Sequence, residues 1–244
     1  MPVRTRRGMA MLKVEGVESG YGDINVLWGV DLEVNEKDMV ALVGANGVGK
    51  STLLKTISGL LDPRKGNISF CGQSLTGKTC EEIVRSGISQ IPEGRQLFPG
   101  LTVKENLVMG SYLRRDYHAM HKDMEWVFDL FPILRDRLSQ LAGTLSGGEQ
   151  QMCAIGRGLM AKPQLLVIDE LSLGLAPVIT EQIMEVVQEI HKNGLTLLIV
   201  EQDVQSILEV SDKGYVMEMG KITLEGDSRE LLQSEHVKEA YLGL

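Results

Sequence analysis

Residues Gly44-Ala45-Asn46-Gly47-Val48-Gly49-Lys50-Ser51 constrain the fold more than any other stretch of this 244-residue chain. The apolar run Met39 to Val43 precedes them and Ser51-Thr52-Leu53-Leu54 follows, an order that predicts strand, loop and helix. Gly44, Gly47 and Gly49 let backbone N–H groups turn inward around a polyphosphate, with Asn46 and Thr52 in the same cradle. Lys50 has the reach for the β- and γ-phosphates, and the Ser51 hydroxyl is placed to ligate Mg²⁺. The segment predicts a nucleoside triphosphate site at the edge of an α/β sheet. Read merely as a glycine-rich turn, it would leave the lysine and the hydroxyl without a task.

A chain of this length buries one sizeable core, or one core with a subsidiary lobe. Its formal net charge of -8 provides no electrostatic footprint for sequence-independent DNA or RNA binding, so no nucleic acid is expected as a partner. No apolar run approaches the ~20 residues of a bilayer-crossing helix, and any membrane role is expected to come through partner subunits. Met1 to Arg7 is basic, but the apolar residues after it, Met9 to Leu12, are too few for a signal peptide. The expectation there is a loose tail, with Met9 or Met11 as alternative starts. Cys71, Cys80 and Cys153 are odd in number and widely spaced, which fits reduced thiols in cytoplasm. His118 and His121, one helical turn apart among charges, read as a solvated face rather than a metal site. The methionines read as adaptable core filler.

Along the chain, β-type runs alternate with amphipathic helical stretches, the pattern of an α/β core with a mostly parallel sheet. Leu12 to Gly16 and Val30 to Val34 alternate as a half-buried antiparallel pair would, while Ile88 to Ile91, Leu165 to Ile168 and Leu195 to Val200 read as buried parallel strands. Strand signals vanish over 96–161, which reads as a helical insertion including Met120 to Phe131. Another helix is expected over Val178 to His191; Gly220 and Gly226 bracket a short hairpin-like end, and Ser228 is expected to cap the last helices. The whole chain, 1–244, then forms one domain: a first nucleotide-binding core segment over 9–95, the helical subdomain over 96–161, and a second core segment with a C-terminal extension over 162–244.

Leu165-Leu166-Val167-Ile168-Asp169-Glu170 is a buried strand ending in two carboxylates, at the sheet edge where ligands of open α/β folds sit. Asp169 is expected to hold Mg²⁺, and Glu170 to orient and deprotonate a water; a strand meeting solvent at an acidic turn is the plainer alternative. Leu145-Ser146-Gly147-Gly148-Glu149-Gln150-Gln151 opens a helix with free N–H groups and a hydroxyl, either a second anion site or simply a helix cap.

With all three motifs in this order, the chain resembles the ATP-binding-cassette ATPases along nearly its whole length. That resemblance implies a head-to-tail dimer in which ATP and Mg²⁺ lie between the phosphate loop of one subunit and the Ser146-Gly147-Gly148-Glu149 signature of the other. It implies that Tyr21 stacks on adenine, although a core tyrosine beside a turn would look the same in sequence. Leu97 to Leu107 is similar to the segment following the Q-loop, where such subunits meet their transmembrane partner. Glu93 then stands at the Q-loop glutamine position, with Ser51 and Asp169 in the metal set, and Gln202 replaces the switch histidine; glutamine still donates a hydrogen bond to a γ-phosphate but carries no titrating proton. Pro92-Glu93-Gly94-Arg95, Ser172-Leu173-Gly174-Leu175-Ala176-Pro177, Val200-Glu201-Gln202 and the tail Tyr241-Leu242-Gly243 resemble the LivF-type subunit of branched-chain amino-acid importers. Implied partners are a second, different ATP-binding chain, two transmembrane permease subunits that hold this chain at the cytoplasmic face of the inner or plasma membrane and, indirectly, a solute-binding protein.

Urea and amide importers carry similar subunits, and cassette ATPases unconnected with transport share the catalytic motifs. Two departures stand out. Leu171 occupies the position after Glu170 where the family usually has proline, freeing the backbone there. Gly158 occurs where alanine is usual, at a helix cost of about 1 kcal/mol. The aspartate of many communication loops corresponds to Ala176, as it does in the LivF-type group.

Overall fold

The computed structural model describes residues 10–242; the basic N-terminal stretch, the alternative start at Met9 and Gly243 of the tail lie outside them. In chain order come β1 (Leu12–Tyr21), β2 (Ile24–Val34), β3 (Met39–Val43), α1 (Lys50–Ile57), β4 (Lys65–Phe70), β5 (Gln73–Ser74), α2 (Cys80–Ser86) and β6 (Ile88–Ile91). These are followed by α3 (Val103–Gly110), α4 (Tyr117–Leu130), α5 (Pro132–Asp136), α6 (Gly147–Met160), β7 (Leu165–Asp169), α7 (Pro177–Lys192) and β8 (Thr196–Glu201). The chain finishes with α8 (Val204–Val210), β9 (Lys213–Glu218), β10 (Lys221–Asp227), α9 (Ser228–Gln233) and a helical segment starting at Glu235. Two compact units result, one from residues up to Ile83 together with those from Gln202 onward, the other Val84–Glu201.

In the first unit an antiparallel sheet has the order β2-β1-β4-β5. Leu12, Val14 and Val17 of β1 and Leu27, Val30, Leu32 and Val34 of β2 are buried, the alternation of a sheet with one packed face. Both strands extend well past the stretches expected from sequence, because register shifts between Val14 and Val17 and between Ser19 and Gly20 absorb residues that break the alternation. β4, with Gly66 and Asn67 in its first half, carries little apolar signal, so the expected strand pair becomes four strands by pairing rather than by pattern. Elsewhere in this unit β3 runs parallel to β9, and β9 pairs antiparallel with β10. All five residues of β3 are buried, as its continuous apolar run predicts for a strand covered on both faces. The first residue of α9 is Ser228; its cap is Asp227, which accepts from the Arg229 N–H at 2.9 Å. Ser234, not Ser228, caps the segment that follows, accepting from the Val237 N–H.

In the second unit β6, β7 and β8 form a parallel array with β7 central. The expected helical stretch contains α3 to α6, and both α3 and α6 begin with a capping box, Thr102 with Glu105 and Ser146 with Glu149. Small residues on α6 set its packing. A Cβ on Gly156 would come within 2.8 Å of Val127 and 2.9 Å of Leu107, so α3 and α4 approach α6 where it has no side chain. On Gly158 a Cβ would meet Ile91 at 3.1 Å and Leu166 at 3.2 Å. The intrinsic helix cost of Gly158 is thus offset by close packing of α6 on β6 and β7.

Candidate nucleotide-binding and hydrolysis site

β3 ends at Val43 and the chain turns through Gly44 to Gly49 into α1. Gly49 is the N-cap residue of α1 at φ +115 and offers no side-chain cap, so the N–H groups of the first turn have no side chain of the helix cap to satisfy them. A phosphate satisfies such groups, and the helix dipole favours its charge. Asn46 and Gly47 are exposed at the loop's tip, Ser51 is half-buried, and Thr52 is buried on the inner face of α1. Lys50 is buried and folds over the loop: its Nζ donates to the carbonyls of Gly44 at 2.6 Å and Ala45 at 2.9 Å.

The loop is held from outside by the β9–β10 turn. The Gly220 N–H donates to the Val48 carbonyl at 2.8 Å, and the Gly220 carbonyl accepts from the Trp28 N–H at 2.9 Å. At Gly44 a Cβ would lie 2.3 Å from the Met217 carbonyl oxygen, so only glycine lets the start of the loop pass β9 this closely. Behind the same turn, Glu218 accepts from Tyr241 Oη at 3.1 Å and lies 3.0 Å from His236 Nε2, tying the C-terminal segment to β9. Tyr21, at the end of β1, is 44% exposed, which removes the core-tyrosine reading. Lys55 of α1 lies over its ring, 5.5 Å from the centroid, and donates to its hydroxyl. Gln202 follows β8 directly and is half-buried.

In the second unit β7 delivers Asp169 and Glu170, both buried. Glu170 has φ +55 and, of the seven described non-glycine residues with positive φ, is the one that is buried. A left-handed side-chain-bearing residue costs about 1–3 kcal/mol and persists where its surroundings hold it, which happens most often at functional sites. The Glu170 N–H donates to the Val200 carbonyl at 2.9 Å. Two residues on, Glu201 accepts from both the N–H and the hydroxyl of Ser172.

Ser146 and Glu149 close their capping box, and Arg137 adds an ion pair to Glu149 at 2.8 Å. Burial works against ionising Glu149, but its bonds to Ser146 and the Arg137 charge hold the carboxyl below its ordinary value. Gly147 leaves room for the Arg95 guanidinium, which a Cβ would meet at 3.3 Å; a Cβ on Gly148 would lie 2.5 Å from Ile179 at the start of α7. Arg95 donates to Gln150 Oε1 at 3.4 Å and to the Leu173 carbonyl at 3.3 Å, joining the signature turn to the loop after Glu170. Arg157, in the last turn of α6, grips the carbonyls of Gln96 at 2.8 Å and Arg95 at 3.1 Å. Glu93 is exposed on the turn just before, its carbonyl accepting from Gln96 Nε2.

Each unit therefore assembles its own set: the phosphate loop with Tyr21 in one, the paired carboxylates and the signature turn in the other. Sequence reasoning missed Glu201, Gly220 and the bracing role of Arg95. Their partners lie 29 residues away for Glu201 and 78 for one contact of Arg95, beyond any local pattern.

Residues 27–172 match the family described as ABC transporter. The chain is 45% identical to the high-affinity branched-chain amino acid transport ATP-binding protein BraG of Pseudomonas aeruginosa over 235 residues, covering 96% of this chain and 100% of that protein. It is 35% identical to the probable branched-chain amino acid transport ATP-binding protein LivF of Archaeoglobus fulgidus, over 96% of this chain and 99% of the relative. Among solved structures, the ADP conformation of an ATP-binding cassette of an ABC transporter superposes with a TM-score of 0.84 at 30% identity, covering 97% of this chain and 100% of the other. A nucleotide-free ATP-binding cassette gives the same TM-score, identity and coverage.

Proposed function

Because the chain belongs to the ABC transporter family as one of its ATPases, we propose that it is the ATP-hydrolysing subunit that powers a membrane importer for branched-chain or related amino acids. Its full-length likeness to transport ATP-binding proteins for such amino acids carries this reading. Among the described residues no helix is long and apolar enough to cross a membrane, so transport requires separate permease subunits. The proposed assembly has two of these, a second and different ATP-binding chain, and a solute-binding protein that selects the cargo.

In the proposed mechanism Lys50 and the amides of Gly44 to Ser51 neutralise phosphate charge, and Tyr21 stacks on adenine. Lys50 would exchange its carbonyl partners for phosphate oxygens. Ser146, Gly147, Gly148 and Glu149 complete the site of the opposite subunit, so the sites form only when two cassettes close head to tail. Glu170 orients the attacking water and takes its proton, while Gln202 donates to a γ-phosphate oxygen.

Ser51, Asp169 and Glu93 are the residues proposed to hold Mg²⁺, which when bound neutralises charge building on the β- and γ-phosphates. Hydroxyl and carboxylate oxygens suit this hard cation, and among the described residues no group of three His, Cys, Asp or Glu side chains forms a metal cage of its own. Such a partial protein shell matches the habit of Mg²⁺ of keeping waters and phosphate oxygens as ligands. Tighter binding of ATP than ADP to the closed dimer would supply the free energy passed to the permeases near Glu93 to Asn106.

Two experiments test this reading. The purified complex of this chain with its partner cassette should release phosphate from ATP in a Mg²⁺-dependent way, with Lys50→Ala losing nucleotide binding and Glu170→Gln keeping binding but losing turnover; wild type no faster than Glu170→Gln would overturn the ATPase assignment. Affinity capture from gently solubilised membranes should recover two multi-span permeases and a second cassette subunit. Recovery of soluble partners alone would refute the importer.

A further inference from the structure

Beyond Glu170 the chain is gripped by a buried carboxylate that the hydrolysis scheme leaves unused. Glu201 ends β8 with 3% of its surface exposed. Its Oε1 accepts the Ser172 backbone N–H at 2.8 Å and its Oε2 accepts the Ser172 hydroxyl at 3.0 Å. One residue earlier on β8, the Val200 carbonyl accepts the Glu170 N–H at 2.9 Å. Both ends of the turn Glu170-Leu171-Ser172 are therefore bonded to the last two residues of one strand.

The turn needs such an anchor. Glu170 sits at φ +55, a conformation a side-chain-bearing residue keeps only when its neighbours over-determine it. A proline at position 171 would stiffen the turn covalently through its ring; Leu171, buried to 1% exposure, packs but leaves the backbone dihedral unrestrained. Two hydrogen bonds to one rigid carboxylate fix Ser172 in both position and orientation, which a single bond would not.

We propose that Glu201 is a positioning residue for Glu170: its two-point hold on Ser172 sets the turn that aims the Glu170 carboxylate, performing the restraint that a proline would exert at 171. The proposal rests on the reading of Glu170 as the group that orients the attacking water. Glu201 is also the peptide neighbour of Gln202, so the strand end that meets the γ-phosphate and the turn that carries the base share one anchor. A shift of Gln202 on nucleotide binding would reach Glu170 through Glu201 and Ser172.

The test compares Glu201→Ala, Glu201→Gln, Ser172→Ala, Glu170→Gln and the double variant Glu201→Ala with Leu171→Pro, all in the full chain assembled with its partner cassette. Steady-state ATPase kinetics, affinity for a fluorescent ATP analogue and urea unfolding are measured for each. Glutamine keeps an acceptor for the Ser172 N–H and can donate to its hydroxyl, whereas alanine loses both contacts. Glu201→Ala should lower kcat at least tenfold with KM and analogue affinity changed less than threefold. Glu201→Gln should stay within about threefold of wild type, Ser172→Ala should fall between them, and the added proline should restore some of the rate lost in Glu201→Ala. A folded Glu201→Ala with wild-type kcat, or a loss of rate matched by an equal loss of affinity and rescued neither by glutamine nor by proline, would overturn the proposal. If Glu201→Ala does not fold, Ser172→Ala decides: an unchanged kcat refutes the clamp. Glu170→Gln separates the two levels, since full activity there refutes the reading of Glu170 itself, whereas its inactivity beside an unaffected Glu201→Ala refutes the positioning role alone.

Discussion

Alanine at Gly220 should detach the support of the phosphate loop, and the size of the effect follows from the local geometry. Gly220 has φ +77, and a Cβ there would lie 1.9 Å from the Val26 carbonyl oxygen and 3.0 Å from Trp28 Cδ1. The first of these is a backbone atom of β2, so the contact cannot be relieved by a side-chain rotation; the β9–β10 turn must move off β2. Movement of that kind breaks the bonds Gly220 makes with Trp28 and Val48. Left-handed strain costs about 1–2 kcal/mol, and each lost backbone hydrogen bond about 0.5–1.5 kcal/mol. A loss of about 2–5 kcal/mol is therefore expected, a large share of the ~5–15 kcal/mol that stabilises a typical domain. Gly77→Ala is the matched control, because Gly77 has the same φ of +77 but nothing within 4 Å of an added Cβ; it should lose only the ~1–2 kcal/mol of strain. Urea unfolding at unchanged m-value gives the stabilities, and titration with a fluorescent ADP analogue should show weaker binding for Gly220→Ala alone, since only Gly220 bonds the loop at Val48. Equal stability losses in the two variants would refute the steric argument, and unaltered nucleotide affinity in Gly220→Ala would refute the link to the loop.

Gly156→Ala should destabilise by about 1–3 kcal/mol through overpacking against Val127 and Leu107, although alanine is the better helix former by ~1 kcal/mol; a rise in the urea midpoint would contradict this. Burial pushes the Cys153 thiol up to about 11, so a thiol reagent at pH 8 should label Cys71 and Cys80 in the folded protein and Cys153 only after unfolding, as read by intact-mass spectrometry. The hydrogen bond to His236 and, against the opposing effect of burial, the bond from Tyr241 hold the Glu218 carboxyl below the ordinary glutamate range. Stability from this contact is present above the unfolded value near 4.5 and lost as pH falls through the lowered folded value. The difference in thermal midpoint between wild type and Glu218→Gln should therefore shrink as pH drops below 4.5; a difference independent of pH would show that the charge plays no role.

What the sequence revealed was local. The phosphate loop, the continuous apolar runs of β3 and β7 and the helix start at Ser146 each lie within a few residues, where glycine placement, burial on both faces and capping leave a direct trace. The full length of β1 and β2 was hidden because bulges put two residues opposite one and break the period of two on which strand recognition relies. β4 alternates only over Asn67 to Phe70, too short a stretch to mark a strand by itself, and takes its place by pairing with β1. Ser228 invited a capping role that Asp227 performs one residue earlier, since both side chains are competent caps and the path of the chain decides between them. Gly158 illustrates the same limit in the opposite sense: propensity sees a weakened helix, whereas Ile91 and Leu166 press against the space where a side chain would be. At the candidate site, the groups proposed to bear the chemistry stand in local motifs, but the groups that hold them do not. Glu201 and Arg95 are charges at the ends of strands and turns, and nothing near them in sequence says which backbone they grip.

The contact between Gly148 and Ile179 has a mechanical consequence. Where a single methyl group would intrude to within 2.5 Å of the Ile179 side chain, two helix beginnings bear on one another like adjoining gear teeth, with Ile179 seated directly against the bare backbone of α6. α7 has 16 residues, a rod about 24 Å long. Nudging the start of α6 would tip that rod about its near end, and a tilt of about 5° would swing the far end by about 2 Å. The turn proposed to meet nucleotide would then serve as the short arm of a lever whose long arm is α7.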